Sequence, residues 1–505
     1  DLGALPEWDL TDLYPARESD ELAADLKRIE REAKSFRTQY KGQLAGLDGA
    51  AFGAAIAEFE AVDESMGRVM SYGHLLHATH ISDAEISAFF QTLQEKVTDI
   101  STEILFFTLE LNRLGETVLK KQLKSPKAAR YAPWIRDCRV FRRHQLSDEA
   151  EKLLHEKSLT SHNAWIRLFE ETMADLRFRV EGGKKPKQMT LADTLNLLSD
   201  KKAQVRKRGA KALSRGLAKN IRVLSLITNT LAKDKEIEDQ WRRYPHPASY
   251  RNLSNQVEDE FVDALIGAVK DSYPRLSHRY YRLKAKWFGV RKLNTWDRNA
   301  PLPEDSNRHY SWGEARQIVL SAFGGFAPEM SEIAGRFFDH GWIDAAPRPG
   351  KDSGAFAHPT VPSVHPYVML NYHGKGRDVM TLAHELGHGV HQVLAAPQGA
   401  LMSDTPLTLA ETASVFGEML VFQAMLKTEK NAKRRRILLA GKVEDMMNTV
   451  IRQIAFHQFE ERVHAERPKG ELSAQRLGDI WMEVQRQSLG PAFRFDDDYR
   501  NFWAY

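Results

Sequence analysis

Apolar residues recur at helical spacing along most of the chain. Within positions 51–79, for example, Phe59, Val62, Met66 and Val69 stand three or four residues apart and share one face of a helix. The same spacing predicts amphipathic helices over residues 16–48, 51–79, 83–115, 146–174, 191–239 and 256–288. Because such helices bury their apolar stripes against one another, the pattern predicts a mainly α-helical fold.

One short segment alternates as a strand does. Leu176, Phe178 and Val180 are separated by charged residues and precede Gly182-Gly183, which predicts a small β-hairpin.

The hairpin and a later change in composition suggest how the chain is organised. We expect an N-terminal helical lobe over residues 1–190, ending in the hairpin, and a second lobe over 191–505. Pro, Gly, Ser and His concentrate at 345–377 around the apolar run 367–372, so a loop and strand region should interrupt the second lobe.

The net charge of the chain is small for its length and gives no indication of a polyanionic partner. The 72 basic and 68 acidic residues give a net charge of +4. The segment 201–219 contains basic residues and no acid, but its alternation with apolar residues is typical of the solvated face of a helix, and we interpret 433–436 in the same way. No nucleic-acid partner is expected.

The chain has a single cysteine, Cys138, so it forms no disulfide within itself, as is usual in a reducing compartment. Its first residues contain no basic and apolar leader, and we see no run of about 18 apolar residues that could cross a bilayer. We therefore expect a cytoplasmic protein without a membrane partner. The sequence gives no indication of the oligomeric state.

Residues 384–388 read His-Glu-Leu-Gly-His. On a helix, His384 and His388 project from one face and can bind the same metal ion, with Glu385 beside them. Asp378 is a candidate N-cap, and the apolar positions that follow predict a helix ending near Pro397. Gly387 is costly inside a helix, which indicates close packing or substrate approach.

A catalytic zinc usually has three protein ligands, so a third donor is required. Glu411 is the best candidate, on a second helix that Thr405-Pro406 would begin as cap and first-turn proline. His391 is a weaker candidate, because three ligands from one helix would have to converge from nearly two turns. His391 could instead pack beside the ligands.

Two further features bear on the same site. Glu418, seven residues after Glu411, could accept a hydrogen bond from a metal-binding imidazole, or it could be a solvated glutamate. The run 367–372, which ends in Tyr372, could pair with a substrate backbone or form a buried core strand.

These residues predict a zinc peptidase of the gluzincin type with one Zn²⁺ ion per chain. Zinc lowers the pKa of its bound water, and Glu385 would act as the general base when that water attacks a peptide carbonyl.

The sequence also resembles the oligoendopeptidase F branch of the thimet-oligopeptidase family of zinc peptidases. The resemblance spans nearly the whole chain and is carried by residues 6–14 (PEWDLTDLY), 296–298 (WDR), 353–356 (SGAF), 367–372 (YVMLNY), 384–388 (HELGH) and 411–414 (ETAS).

The resemblance implies a mainly helical fold of two lobes that enclose a deep channel, and cleavage of short peptides within it. It implies that His384, His388 and Glu411 bind zinc and that Glu385 is the general base. It also implies that Gly354 and Ala355 lie along the bound peptide. Tyr372, at the end of the run 367–372 that could pair with a substrate backbone, is a further expected substrate-binding residue.

Members of that family continue past the equivalent of Tyr505 into a segment with a histidine and several tyrosines that bind substrate and stabilise the oxyanion. We therefore expect that residues 191–505 lack the C-terminal end of the catalytic lobe.

Other functions remain open at this point. A carboxypeptidase or dipeptidyl carboxypeptidase would use the same zinc centre. A non-catalytic peptide-binding protein is the alternative if the C-terminal donors are absent.

Overall fold

The computed structural model describes residues 2–182, 185–303 and 308–505 and is mainly helical, as predicted. The first helices are α1 (Asp20–Tyr40), α2 (Gly49–Ala78), α3 (Ala84–Ile104), α4 (Phe106–Arg113), α5 (Glu116–Gln122), α6 (Pro126–Ala129), α7 (Ala132–Arg139), α8 (Asp148–Lys157), α9 (His162–Asp175), α10 (Leu191–Asn196) and α11 (Ala203–Arg242). The later helices are α12 (Ser249–Ser254), α13 (Asp259–Ser272), α14 (Ser277–Trp287), α15 (Trp312–Phe326), α16 (Pro328–Asp339), α17 (Gly376–Ala395), α18 (Leu407–Thr428), α19 (Ala432–Met447), α20 (Gln453–Glu466) and α21 (Ala474–Leu489).

Helix starts follow local capping chemistry. The Ser19 hydroxyl accepts a hydrogen bond from the Leu22 N–H at the start of α1, and the Asp48 carboxylate accepts one from Ala51 N–H at the start of α2. The predicted helix over 83–115 is divided into α3 and α4 at Leu105. Apolar periodicity continues through this division, which is why the pattern alone did not locate it.

The strands are short: β1 (Phe178–Val180), β2 (Lys187–Met189), β3 (Leu293–Asn294), β4 (Ile343–Asp344), β5 (Phe356–His358), β6 (Tyr367–Met369) and β7 (Phe493–Arg494). Strands β1 and β2 pair antiparallel, which confirms the predicted hairpin, although its turn residues 183–184 lie outside the described part. Strands β3 and β7 form a parallel pair that the sequence did not predict.

A three-stranded sheet precedes the histidine-bearing helix α17. Its strand order is β4-β6-β5, with β4 parallel and β5 antiparallel to the central strand β6. All three residues of β6 are fully buried. The predicted strand therefore belongs to the core, and its two edges are already paired, so it cannot add a substrate strand.

Buried side chains form separate clusters along the chain. One joins helices α1 to α7 and includes Tyr367, and another surrounds α15 to α18. Met173 and Phe178, from the end of the predicted N-terminal lobe, pack in a third cluster with Leu213 and Trp481. The boundary at residue 190 stays a prediction, and the hairpin is packed against α11 on its C-terminal side.

The basic run 201–219 was interpreted as the solvated face of a helix, and this interpretation fails at one basic residue. Most of it lies on α11 as expected, but Arg206 is only 2 % exposed and forms an ion pair with Asp297 at 2.7 Å. The partner lies 91 residues away in sequence, so the local pattern could not reveal it. A solvated face is therefore wrong for Arg206, because its guanidinium joins α11 to the 295–297 turn.

Replacing Arg206 should be costly. Arg206→Met leaves the Asp297 carboxylate buried without its cation, and we expect a loss of about 3–5 kcal/mol in the free energy of unfolding. The double variant Arg206→Met/Asp297→Asn should recover part of that loss, because the remaining amide carries no charge. Urea denaturation measures both, with Lys219→Met, an exposed residue of the same run, as a control expected to change stability by less than about 0.5 kcal/mol. An equal loss in the single and double variants would contradict a charge effect.

Candidate metal centre

Helix α17 carries the two histidines and starts slightly earlier than predicted. Asp378 is not its N-cap: the helix is capped at Lys375, and the Asp378 carboxylate accepts hydrogen bonds from the backbone N–H groups of Lys375 and His373, both at 2.9 Å. In a capping box, a side chain in the first turn accepts a hydrogen bond from the backbone N–H of the N-cap residue, and Asp378 has this role for Lys375. The helix ends at Ala395, close to the predicted Pro397.

Helix α18 carries Glu411 and starts at Leu407, with Pro406 in the cap position. The prediction of a Thr405 cap and a first-turn Pro406 is therefore displaced by one residue. Helix α18 is long and apolar enough to cross a membrane, but core helices of soluble proteins can have the same length and composition.

Glycines bring α17 and α18 into backbone contact. A Cβ atom on Gly387 would lie 2.6 Å from the Ala413 carbonyl oxygen, and one on Gly417 would lie 2.9 Å from the Ala383 carbonyl oxygen. These distances are shorter than van der Waals contact, so neither position accepts a larger residue without separation of the helices. Of the two reasons offered for Gly387, close packing is the one that the structure supports.

This contact brings the three predicted ligands together. The Glu411 Oε2 atom lies 3.2 Å from His384 Nε2 and 3.5 Å from His388 Nε2. One possible ligand atom from each of the three residues lies within 4.8 Å of the other two. Ligand atoms about 2.0–2.1 Å from a tetrahedral metal stand roughly 3.3 Å apart. The donor set and its spacing thus fit zinc.

The charges favour a cation at the same point. Burial alone would lower the pKa of His384, but hydrogen bonds with Glu411 and Glu418 raise it to about 10. Hydrogen bonds with His384 and His388 hold the pKa of Glu411 well below its usual range. Carboxylates that hold a proton on an imidazole this firmly would also stabilise a divalent cation between the same atoms.

Glu385 occupies a different environment from the ligands. Its side chain is buried, at 6 % exposure, and burial raises the pKa of its carboxyl to about 7 against the opposing charges of His384 and His388. A carboxyl group with a pKa near 7 can both accept and return a proton at neutral pH.

Comparison with known proteins assigns this arrangement to a family. The model of peptidase family M3 matches residues 196–502, which is more than half of the chain, and an oligopeptidase F model matches residues 110–178. The chain belongs to peptidase family M3. It is therefore a peptidase, of a family whose members are metallo-oligopeptidases.

Relatives of this M3 peptidase match over almost its whole length. The oligopeptidase PepF of Bacillus subtilis is 25 % identical and the match covers 98 % of this chain and 74 % of that protein. An oligoendopeptidase F homolog of Lactococcus lactis is 26 % identical, with 98 % and 82 % covered. The crystal structure of oligoendopeptidase-F from Enterococcus faecium shares the fold, with a TM-score of 0.71, 22 % identity, and coverage of 96 % of this chain and 83 % of that one.

Two carboxylates and a lysine surround the first imidazole. Glu418 Oε2 lies 3.5 Å from His384 Nδ1, on the opposite side of the ring from Glu411, and Glu418 Oε1 accepts a hydrogen bond from the Lys442 ammonium group of α19. The Ser414 hydroxyl donates to Glu411 Oε2 at 2.6 Å. Of the two interpretations of Glu418, a solvated glutamate is wrong, because its side chain is only 14 % exposed and lies between a cation and an imidazole.

Lys442 and Ser414 were not among the predicted site residues. Ser414 stands three residues after Glu411, and this helical spacing could have indicated it. Lys442 belongs to another helix, 24 residues from Glu418, and its sequence context gives no signal.

His391 does not join this group. It is half-buried, and its side chain makes no hydrogen bond or ion pair within the described part of the chain. Its position beside the ligands stays a prediction.

The predicted substrate residues are divided between surface and core. Gly354 is exposed and Ala355 is half-buried, just before the edge strand β5, and the Asn371 amide donates to the Gly354 carbonyl at 3.0 Å. A cavity of 290 Å³ lined by Ser353 and Asn371 lies beside them. Tyr372, by contrast, is fully buried and its hydroxyl donates to the Tyr310 carbonyl at 2.9 Å, so its prediction as a substrate-binding residue is wrong.

The contact between the two helices can be tested by adding one methyl group. Gly387→Ala should force α17 and α18 apart, lower the free energy of unfolding by about 1–3 kcal/mol and weaken zinc binding, because Glu411 moves with α18. Thermal unfolding and competition with a chromophoric chelator measure the two effects. Gly267→Ala, in α13 with open space around it, is the control and should raise stability by about 0.5–1 kcal/mol. The same response in both variants would refute the contact.

Proposed function

We propose that this chain is a zinc-dependent endopeptidase that hydrolyses short peptides, with His384, His388 and Glu411 as zinc ligands and Glu385 as general base. The observation that carries the proposal is the pair of distances from Glu411 Oε2 to the two imidazoles, with a buried carboxyl of raised pKa adjacent to them. The family supports peptide bonds as the substrate.

Each residue would have a distinct part in the reaction. Bound zinc would supply Lewis acidity to the peptide carbonyl and to the attacking water. Glu385 would take the proton from that water as it attacks and deliver the proton to the departing amine, which a carboxyl with a pKa near 7 can do in both directions. Gly354 and Ala355, on the accessible approach to β5, would hold the peptide backbone.

The relatives favour an endopeptidase over the two exopeptidase alternatives, since several of them are called oligoendopeptidase F. An internally quenched peptide with an amidated C-terminus separates the alternatives. An endopeptidase cleaves it, whereas an enzyme that requires a free terminal carboxylate does not.

The general base can be tested without disturbing the metal. In Glu385→Gln we expect hydrolysis of the quenched peptide to fall by about 10²- to 10⁴-fold, because the amide cannot accept the proton. Zinc content, measured by elemental analysis, should be unchanged, whereas His388→Ala should lose zinc and activity together. Glu329→Gln, an exposed glutamate on α16, is the matched control. Full activity in Glu385→Gln, or turnover that resists a chelator, would refute the mechanism.

The residues around His384 give a separate prediction. Glu418→Gln and Lys442→Met should each weaken zinc binding by about 10- to 100-fold, because His384 loses the acceptor that fixes its ring. In Lys442→Met the Glu418 carboxylate loses the cation that holds it and is free to turn away from His384. Competition with a chromophoric chelator measures the affinity, and the visible spectrum of the Co²⁺-loaded protein reports ligand geometry. Lys433→Met, exposed on the same helix, should have no effect on either measurement.

The melting temperature of the metal-free protein distinguishes positioning from general damage. A fall in this temperature with unchanged zinc affinity would mean that Lys442 has a structural role alone.

A further inference from the structure

A cavity of 260 Å³ lies between α17, α18 and α19, outside the set of metal ligands. Its position along the helices places it next to the metal centre. On α17, Arg377 and Met380 line the cavity, and they lie seven and four residues before His384 on the same helical face. At 1.5 Å of rise per residue, the Met380 side is about 6 Å from His384 along the axis.

The same relation holds on α18. Phe422 and Met425 line the cavity, and they continue the helical face that carries Glu411 and Glu418. The face of α18 that carries Glu418 therefore reaches the cavity one to two helical turns further along the helix, at Phe422 and Met425.

The cavity has an apolar wall, and among the described residues that line it cationic side chains outnumber acidic ones. Phe422, Met425, Ile437 and Leu438 supply the wall. Of the lining acids, Glu444 is bonded to Lys284 and Tyr280, and Glu429 to Arg434.

Two lining cations have no carboxylate bonded to them. The Lys375 ammonium group is bonded to the neutral amide of Asn196. Within the described residues the Arg377 guanidinium makes no side-chain hydrogen bond and no ion pair within 4 Å, although its charge acts on the Asp445 carboxyl. Asp445 also faces the cavity. Burial raises the pKa of its carboxyl to about 6 against the charge of Arg377, so this carboxyl opposes an anion least below about pH 6.

Lys442 connects the cavity to the metal centre. It lines the cavity, it is 8 % exposed, and its ammonium group holds the carboxylate of Glu418 that faces His384. A second anion that reaches Lys442 from the cavity would compete with Glu418 for the same ammonium group.

We propose that this cavity binds a small organic carboxylate with an aliphatic or aromatic body, and that its occupation weakens metal binding through Lys442, Glu418 and His384. The apolar wall of the cavity would bury the body of the ligand, and Arg377 and Lys375 would bind its carboxylate. The coupling rests on the proposed metal centre, whereas the binding site does not.

Binding is tested first on metal-free protein by isothermal titration calorimetry. The probes are 4-phenylbutyrate and its uncharged amide, 4-phenylbutyramide. We expect the acid to bind at least about 10-fold more tightly than the amide, because only the acid forms charge-assisted hydrogen bonds. Arg377→Gln should remove this preference, and Ile437→Asn should weaken both probes equally.

The matched control is Lys433→Gln, which removes a cation from the same helix at a position that does not line the cavity. It should bind both probes as the unaltered protein does. Equal affinity for acid and amide, no heat from either probe at millimolar concentration, or the same loss in Lys433→Gln as in Arg377→Gln would each overturn the site.

Coupling is tested by measuring the zinc dissociation constant with and without saturating 4-phenylbutyrate. We expect an increase of about 10-fold, and by thermodynamic reciprocity zinc must weaken the probe by the same factor. Lys442→Met should still bind the probe but lose the coupling. Direct binding of the carboxylate to zinc would give an effect that survives in Arg377→Gln, and that outcome would overturn the coupling. Because the first titration uses metal-free protein, its result does not depend on whether the chain is a zinc peptidase.

Discussion

The backbone contact between α17 and α18 is the constraint on which the site depends. Gly387 and Gly417 let the two helices approach until carbonyl oxygens of one stand against the Cα atoms of the other. At that separation a glutamate on α18 reaches two imidazoles on α17, and the same separation brings Glu418 to the far side of His384. A glycine in a helix costs about 1 kcal/mol, so local helix stability is lower where the two helices come close enough for the three candidate ligands to meet.

The electrostatics of the site follow from this packing. Two glutamates and two histidines meet in a partly buried volume, with Lys442 and Ser414 arranged behind the glutamates. Glu385 is not part of this network, and burial raises the pKa of its carboxyl although the charges of His384 and His388 oppose the shift. Two kinds of carboxyl group thus lie on the neighbouring helices α17 and α18, one ionised and one able to exchange a proton near neutral pH, because their surroundings differ.

The residues that local spacing determines could be predicted from the sequence. His384, His388 and Glu385 follow from a four-residue period, and Glu411 from the need for a third ligand on a neighbouring helix; the structure brings all four together. The predictions that failed, and the site residues that were missed, depend on tertiary contacts. An apolar run such as 367–372 reads equally as an edge strand or a central strand, so the burial of Tyr372 could not be predicted. Arg206 and Lys442 find their partners on other elements, and a single sequence carries no record of such pairs.

The parallel pairing of β3 with β7 has a consequence for how the fold assembles. Leu293 faces Phe493 and Asn294 faces Arg494, so the pair closes one of the longest loops in the chain, and α15 to α21 lie inside it. Closing a long loop costs entropy before the contact returns any energy, so this pair should form late, after the enclosed helices have collapsed. The pair would then form only after the helices between the two strands have packed together.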